Sequence, residues 1–344
     1  MASSSSRVRF VWRLVRARAR QRPFALSHLV TSRCNGRCKT CLWRDRTAGE
    51  MDTATVTWLY EEAGQAGLAQ LVAWGGEPLL RADLPDLLDT ARRAGLLTTV
   101  ITNGWLLGER WPELRGRVDV LIVSLDDVGP AHDRLRGLPG LYERLEAFVA
   151  GLAGDPLRPL LLANMVLSRG NRGALPRVAA VARRWGAGLY VCPMETGEMR
   201  SSGFAAPLAA GALAPSELRA AALEARRLKD AGLPILDTRH YLDLVAHDPG
   251  VRGYTCRAPR AVLTVQPDGV IRDCLRRDET LADVGALRAA GRPLTDVLEL
   301  PRYRQVLAAA AGCTACNNPD VVEMSWLWDL RPSMLAKVMD LATR

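Results

Sequence analysis

The chain has 344 residues, of which 48% are hydrophobic and 24% charged, with a net charge of +9 and eight cysteines. That is the composition of a globular protein with a sizeable core, which excludes a disordered chain, and no apolar run approaches the ~20 residues of a membrane-spanning helix. Seven arginines, Arg7, Arg9, Arg13, Arg16, Arg18, Arg20 and Arg22, precede Pro23 without an acid among them. The remainder is nearly neutral, which argues against nucleic acid as a partner.

Residues 1–23 read as a helix. Val8, Val11, Trp12, Val15 and Ala19 share one face at the i, i+3, i+4, i+7 spacing, with Arg9, Arg13, Arg16 and Arg20 beside it. Such a basic amphipathic helix can lie on an anionic membrane surface or dock on the protein's own body with a solvated basic flank. The start lacks the apolar core and cleavage site of a secretory signal, which predicts a cytoplasmic protein.

From 24 to 235 the pattern alternates. Strands are predicted at 26–31, 69–74, 97–102, 119–125, 160–167 and 188–194, and helices at 53–66, 83–94, 140–152, 174–185 and 215–231. Six such units imply a parallel sheet with crossover helices, an α/β fold in the form of a partial (β/α)6 barrel. Reactive groups in such sheets lie at the carboxyl ends of the strands. "TSRCNGRCKTC", "GGEP", "TNG", "SLD" and "CPM" all fall at such ends. Residues 250–320 change character: "AVLTVQPDGVIRDC" reads as a hairpin around Pro267, Asp268 and Gly269, a helix covers 301–311, and "CTAC" follows. This predicts a small C-terminal α+β domain. A final amphipathic helix is expected at 321–344, where Trp326, Trp328, Met334, Leu335, Val338 and Met339 crowd together.

The cysteines fall into two groups, Cys34, Cys38 and Cys41, then Cys256, Cys274, Cys313 and Cys316, with Cys192 between them. In a reducing compartment such grouping points to metal rather than disulfides. Three thiolates leave one iron of a four-iron cubane without a protein ligand, and His28 is the one other donor type nearby. Cx3Cx2C in the loop after the first strand of a (β/α) barrel resembles the radical S-adenosylmethionine (SAM) enzymes. The resemblance implies a [4Fe-4S] cluster on Cys34, Cys38 and Cys41 whose open iron chelates the amino and carboxylate groups of SAM. It also implies reductive cleavage to a 5′-deoxyadenosyl radical that abstracts a hydrogen atom from substrate. Gly75, Gly76 and Glu77 resemble the family's GGE motif, which meets the SAM amino group. Ser124 and Asp126 resemble its ribose contacts, and Ser168, Arg169 and Asn171 its contacts to the carboxylate and ribose. Pro193, in "VCPM", is similar to the turn beside the adenine, where Cys192 reads as a small buried hydrophobe. Thr40 stands where the family often has an aromatic residue, and Trp43 is the ring that would cover the adenine instead.

Cys256-x12-Gly269-x4-Cys274 followed by Cys313-x2-Cys316 is similar to the twitch domain, the shortened relative of SPASM. It implies an auxiliary [4Fe-4S] cluster with four protein ligands and an electron-transfer role. Four thiolates equally satisfy zinc. No cysteine follows Cys316, which predicts no second auxiliary cluster. The resemblance implies an oxidation or rearrangement of a small biosynthetic intermediate, with reduced flavodoxin or ferredoxin as electron donor. The alternatives are a SPASM-like maturase of a peptide, an enzyme of a lipid or prenyl substrate held at a membrane by the two amphipathic ends, and a zinc-binding scaffold.

Overall fold

A computed structural model describes residues 4–38, 40–41, 49–194, 211–274, 277 and 279–343. After the N-terminal helix α1 (Ser4–Ala19), the chain enters β1 (Ala25–Thr31), α2 (Thr53–Gln65), β2 (Gln70–Gly75), α3 (Leu84–Arg93), β3 (Leu97–Thr102), α4 (Leu107–Leu114) and β4 (Val120–Ser124). Helices α5 (Pro130–Arg136) and α6 (Leu141–Gly151) lead to β5 (Leu160–Leu167), α7 (Leu175–Arg184) and β6 (Gly188–Pro193). The six predicted strands form, each within a residue or two of its expected ends.

Local chemistry sets the boundaries. Asp52 caps α2 by accepting from the Thr55 amide at 2.7 Å. Proline opens α5, and Gly137, at φ +66°, ends it in a left-handed turn that a residue with a Cβ adopts at a cost.

Strands β1 to β6 pair in parallel in sequence order. One face of the sheet lies under α2, α3 and α7 and holds Leu26, Leu71, Ala73, Val100, Leu121, Val123, Ala163 and Leu189, all 0–1% exposed. The alternate residues are in register with one another, Ser27 beside Val72, Ile101 beside Ile122 and Asn164 beside Tyr190. They are half-buried. Period-two alternation therefore separates a dry face from an open one.

The C-terminal half follows with α8 (Pro215–Asp230), α9 (Arg239–His247), α10 (Ala258–Ala261), β7 (Val262–Val265), β8 (Val270–Arg272) and β9 (Thr280–Asp283). Short helices α11 (Val284–Ala289) and α12 (Asp296–Glu299) precede α13 (Pro301–Ala311), α14 (Pro319–Trp328) and α15 (Pro332–Thr343). The predicted hairpin forms as β7 and β8, but it does not stand apart. β7 pairs in parallel with β1, giving one sheet of nine strands in the order β6-β5-β4-β3-β2-β1-β7-β8-β9. The free edge of β1 accepts a strand whose Leu263 and Val265 join the common core.

Two terminal expectations change. Helix α1 docks on the body, but through Leu14 and Ala17, 2% and 5% exposed, while Trp12 and Val15 of the expected apolar face are 58% and 54% exposed. Its orientation follows its arginines. Arg13 donates to the carbonyls of Leu68, at 2.7 Å, and Ala94, and Arg18 donates to that of Trp328 at 2.7 Å. Leu68 and Ala94 lie just past helix ends, where carbonyls lack partners and attract cations. The tail is two helices rather than one, broken at Leu330, whose φ is +56°. Trp326 and Trp328 are 1% exposed, and α14 packs on β6. Lys337 of α15 places its Nζ 4.6 Å from the Tyr190 ring centre. The tail thus closes the β6 side of the open face, and its tryptophans belong to the core. Among the described residues no helix is long and apolar enough to cross a membrane.

Candidate functional site

The loop after β1 carries Cys34, Cys38 and Cys41. A Cβ added to Gly36 would stand 3.6 Å from the sulfurs of both Cys34 and Cys38, so the two thiols flank one bare backbone position. The Gly36 amide donates to Cys34 Sγ at 3.3 Å, and the Cys41 amide donates to the Cys38 carbonyl at 3.3 Å. Desolvation pushes the Cys34 thiol up to about 11, and Glu77, Cys38 and Cys41 add to the shift, although the residue keeps an exposed edge. The three sulfurs therefore share one electrostatic environment. Soft thiolates with an amide donor beside them and a bare glycine between them fit an iron–sulfur cluster. Among the described residues no three ligand-type side chains already converge on a single metal position. His28 does not join this set: it points to the helical face, its Nδ1 2.9 Å from the Tyr60 hydroxyl, and burial pushes its pKa down to about 3. Trp43 lies outside the described residues.

Strand β2 ends against this loop. A Cβ on Gly75, at φ +140°, would lie 2.4 Å from the Thr31 carbonyl oxygen, and one on Gly76 would lie 2.1 Å from that of Arg33. The amides of Gly76 and Glu77 donate to those same two carbonyls, each at 2.8 Å. The glycines thus let the base of the cysteine loop rest directly on the turn after β2. Glu77 is fully buried. Its Oε1 accepts from Thr102 Oγ1 at 2.7 Å and from the Leu79 amide at 3.1 Å, and its Oε2 from the Asn103 amide at 2.8 Å. Burial raises its pKa against these donors. Asn103, from the "TNG" end of β3, also donates to Asn35 Oδ1 at 2.8 Å, joining the second turn to the cysteine loop.

The ends of β4 and β5 are clasped together. Asp126 Oδ2 accepts from Arg136 at 3.0 Å and Oδ1 from the Val166 amide at 2.8 Å. Asn171 Nδ2 donates to the carbonyls of Asp126 and Val166, both at 2.8 Å, while its Oδ1 accepts from the Ser168 amide at 2.7 Å. Three of the expected SAM contacts, Asp126, Ser168 and Asn171, therefore engage one another and the backbone. Arg169 reaches outward to Glu217 at 3.5 Å with half its side chain exposed. Ser124 lies on the open-face register beside Asn164. Pro193 closes β6 opposite Leu167, and the neighbouring Cys192 is buried with its sulfur 3.0 Å from Asn164 Oδ1.

Sequence reasoning missed Arg136. Although burial opposes its charge, Asp126, Cys38 and Cys41 hold its guanidinium firmly protonated. Its carbonyl accepts from the Arg37 amide at 3.0 Å and lies 3.6 Å from Cys38 Sγ, so the end of α5 braces the cysteine loop. The stretch that carries it, "HDRLRG" after "SLD", belongs to no predicted element.

In the second group, burial raises the Cys256 thiol, Cys313 adds to the shift, and Arg277 and Arg257 oppose it. The Arg277 amide donates to Cys274 Sγ at 3.3 Å, and the Tyr254 hydroxyl donates to the Cys316 carbonyl at 3.2 Å. Cys313 thus acts electrostatically on Cys256, Arg277 links Cys256 to Cys274, and Tyr254, two residues before Cys256, ties the Cys316 backbone.

Residues 29–154 match the family model of the Radical SAM superfamily. A PqqA peptide cyclase of Gluconobacter oxydans is 37% identical over 174 residues, 48% of this chain and 48% of the relative. The match spans about half the length of each of the curated relatives. Streptococcus suis SuiB bound to S-adenosylmethionine superposes with a TM-score of 0.65 at 15% identity, over 84% of this chain and 68% of that one. The structure of anSMEcpe with bound AdoMet and Cp18Cys peptide does so with a TM-score of 0.63 at 14% identity, over 93% and 99%. At these identities the likeness is one of fold, and it extends through the partial barrel and the C-terminal half. The segment 29–154 is a radical SAM domain.

Proposed function

We propose that this chain is a radical SAM enzyme that abstracts a hydrogen atom from a peptide substrate. Cys34, Cys38 and Cys41 would hold a [4Fe-4S] cluster with SAM beside Gly75, Gly76 and Glu77, and Cys256, Cys274, Cys313 and Cys316 an auxiliary [4Fe-4S] cluster. The observation that carries the reading is the seating of the three-cysteine loop on the glycine turn, with two sulfurs facing the bare Gly36. Bound there, a reduced cluster would supply the electron for reductive cleavage, and SAM the 5′-deoxyadenosyl group that accepts the hydrogen atom.

The chain's own residues aim that chemistry. Gly75 and Gly76 hold the loop at a fixed height above the sheet, and the Glu77 carboxylate, locked by Thr102, Leu79 and Asn103, fixes the turn beneath it. The Arg136 guanidinium, a permanent cation balanced by Asp126, ties the end of β4 to the helix that braces the cysteine loop. With Lys337 covering Tyr190 at its β6 side, the open face below, lined by Ser27, Trp74, Ile101, Ile122 and Asn164, receives the substrate. Trp74 is held there by a 2.8 Å hydrogen bond to Ser27. A small biosynthetic intermediate was the sequence expectation. The names of the curated relatives, which are cyclases of a peptide, support the larger substrate instead. An auxiliary cluster in the second cysteine group would pass electrons, and a flavodoxin or ferredoxin would deliver them.

The test is anaerobic purification, iron and sulfide analysis, and incubation with dithionite, SAM and a short peptide encoded beside this chain's gene. We expect iron with matching sulfide, 5′-deoxyadenosine, and deuterium transfer into it from labelled peptide. Zinc without iron would overturn the whole reading. Labelled 5′-deoxyadenosine from a small metabolite but not from peptide would overturn the substrate class alone.

A further inference from the structure

Arg81 follows the glycine turn and is 4% exposed, yet nothing in the proposed chemistry uses it. Its Nη1 donates to the Val30 carbonyl and its Nη2 to the Met51 carbonyl, each at 3.0 Å. Asp83 orients the guanidinium through Nε at 2.7 Å and Nη2 at 3.0 Å, and itself accepts from Thr53 Oγ1 at 2.7 Å. Val30 stands at the end of β1 and Met51 just before the cap of α2. One side chain therefore joins the two ends of the segment that carries Cys34, Cys38 and Cys41.

Met51 is also held from the opposite side. Its amide donates to the Pro267 carbonyl at 2.8 Å, and a Cβ on Gly269, at φ +92°, would come 3.0 Å from its sulfur. Pro267 and Gly269 belong to the hairpin turn between Cys256 and Cys274. We propose that Arg81 is a positioning residue which, with this turn, clamps the neck of the three-cysteine segment and fixes it against the cysteine-bearing hairpin. A planar fork with several donors suits the task, because it satisfies two carbonyls and a carboxylate at once and so offsets the cost of burying the charge. A lysine offers one point charge and cannot span the same acceptors.

The clamp rests on the cysteine assignment only for its second readout. Hydrogen exchange on the metal-free full chain comes first. Arg81→Met should speed exchange of the Met51, Gly76 and Glu77 amides roughly ten-fold or more, as expected for loss of a local clamp. Amides in β4 to β6 should keep their rates. Gly269→Ala presses on Met51 from the hairpin side and should speed the Met51 amide as well. Arg81→Lys should leave the defect unrescued. In the reconstituted protein, both Arg81→Met and Gly269→Ala should alter the spin–spin coupling between the two clusters in the electron paramagnetic resonance spectrum. Unchanged exchange at Met51 in Arg81→Met overturns the clamp. If that variant does not fold, Gly269→Ala and Asp83→Asn decide, and wild-type exchange at Met51 in both overturns it. Absence of iron from the wild type would remove the cluster reading and leave the exchange result standing.

Discussion

Adding one methyl group at Gly76 tests whether the glycine turn exists to seat the cysteine loop. In Gly76→Ala the new Cβ would lie 2.1 Å from the Arg33 carbonyl oxygen, 2.6 Å from its carbon and 2.8 Å from the Ser32 oxygen, all backbone atoms that cannot rotate away. Relief requires lifting the loop and breaking the bond from the Glu77 amide to Arg33. Overpacking of this kind costs about 1–3 kcal/mol and the lost hydrogen bond about 1 kcal/mol, so about 2–4 kcal/mol in total. If the loop lifts while the sheet stays, the cost appears as metal affinity weakened roughly 30- to 900-fold. The assay is iron content after anaerobic reconstitution at graded iron, read beside a thermal melt. Gly108→Ala is the control, since nothing lies within 4 Å of its added Cβ. Full iron in Gly76→Ala with a wild-type melt would refute the reasoning.

Other outcomes follow from burial and charge. Trp328→Ala removes a 1% exposed indole and should cost about 3–5 kcal/mol in a denaturant titration, and a shift near zero would remove the tail from the core. Asp126→Asn leaves the buried Arg136 without its counter-charge and should destabilise by about 3–5 kcal/mol, whereas a loss below 1 kcal/mol would show the clasp to be solvated. His28 is held neutral, its pKa lowered from 6.5 to about 3. The unfolded chain therefore takes up a proton that the folded chain refuses as pH falls from 6.5 towards 3, and stability drops by up to about 1.4 kcal/mol per pH unit in that window. His28→Gln should flatten that limb of the stability profile, and an unchanged limb would assign the acid loss to other groups.

Much of the barrel could be read from the chain because its strands are bounded by turns with their own chemistry and its longer helices carry an apolar spacing, whereas the short α4 and α5 were not predicted. The cysteine loop and "GGEP" were legible as motifs at strand ends, and the structure rests one on the other. What escaped reading depends on contacts across long separations. The face of α1 was set by Arg13 and Arg18 reaching carbonyls of distant elements, which outweighed the apolar spacing of Val15 and Trp12. The hairpin's union with β1 needed knowledge that β1 had an open edge. Arg81 and Arg136 drew no sequence reading, because nothing local distinguishes a buried arginine from a solvated one until its acceptors are in place.

The parallel pairing of β7 with β1 has a consequence for biogenesis. β1 ends at Thr31, but the strand that covers its outer edge begins only at Val262. Until that segment leaves the ribosome, an apolar strand edge stays bare, a template for pairing with another chain. The neck residue Met51 likewise waits for Pro267. A nascent chain stalled before residue 262 would therefore lack both the cover of its β1 edge and one tether of the segment that carries Cys34, Cys38 and Cys41, and should be prone to aggregate.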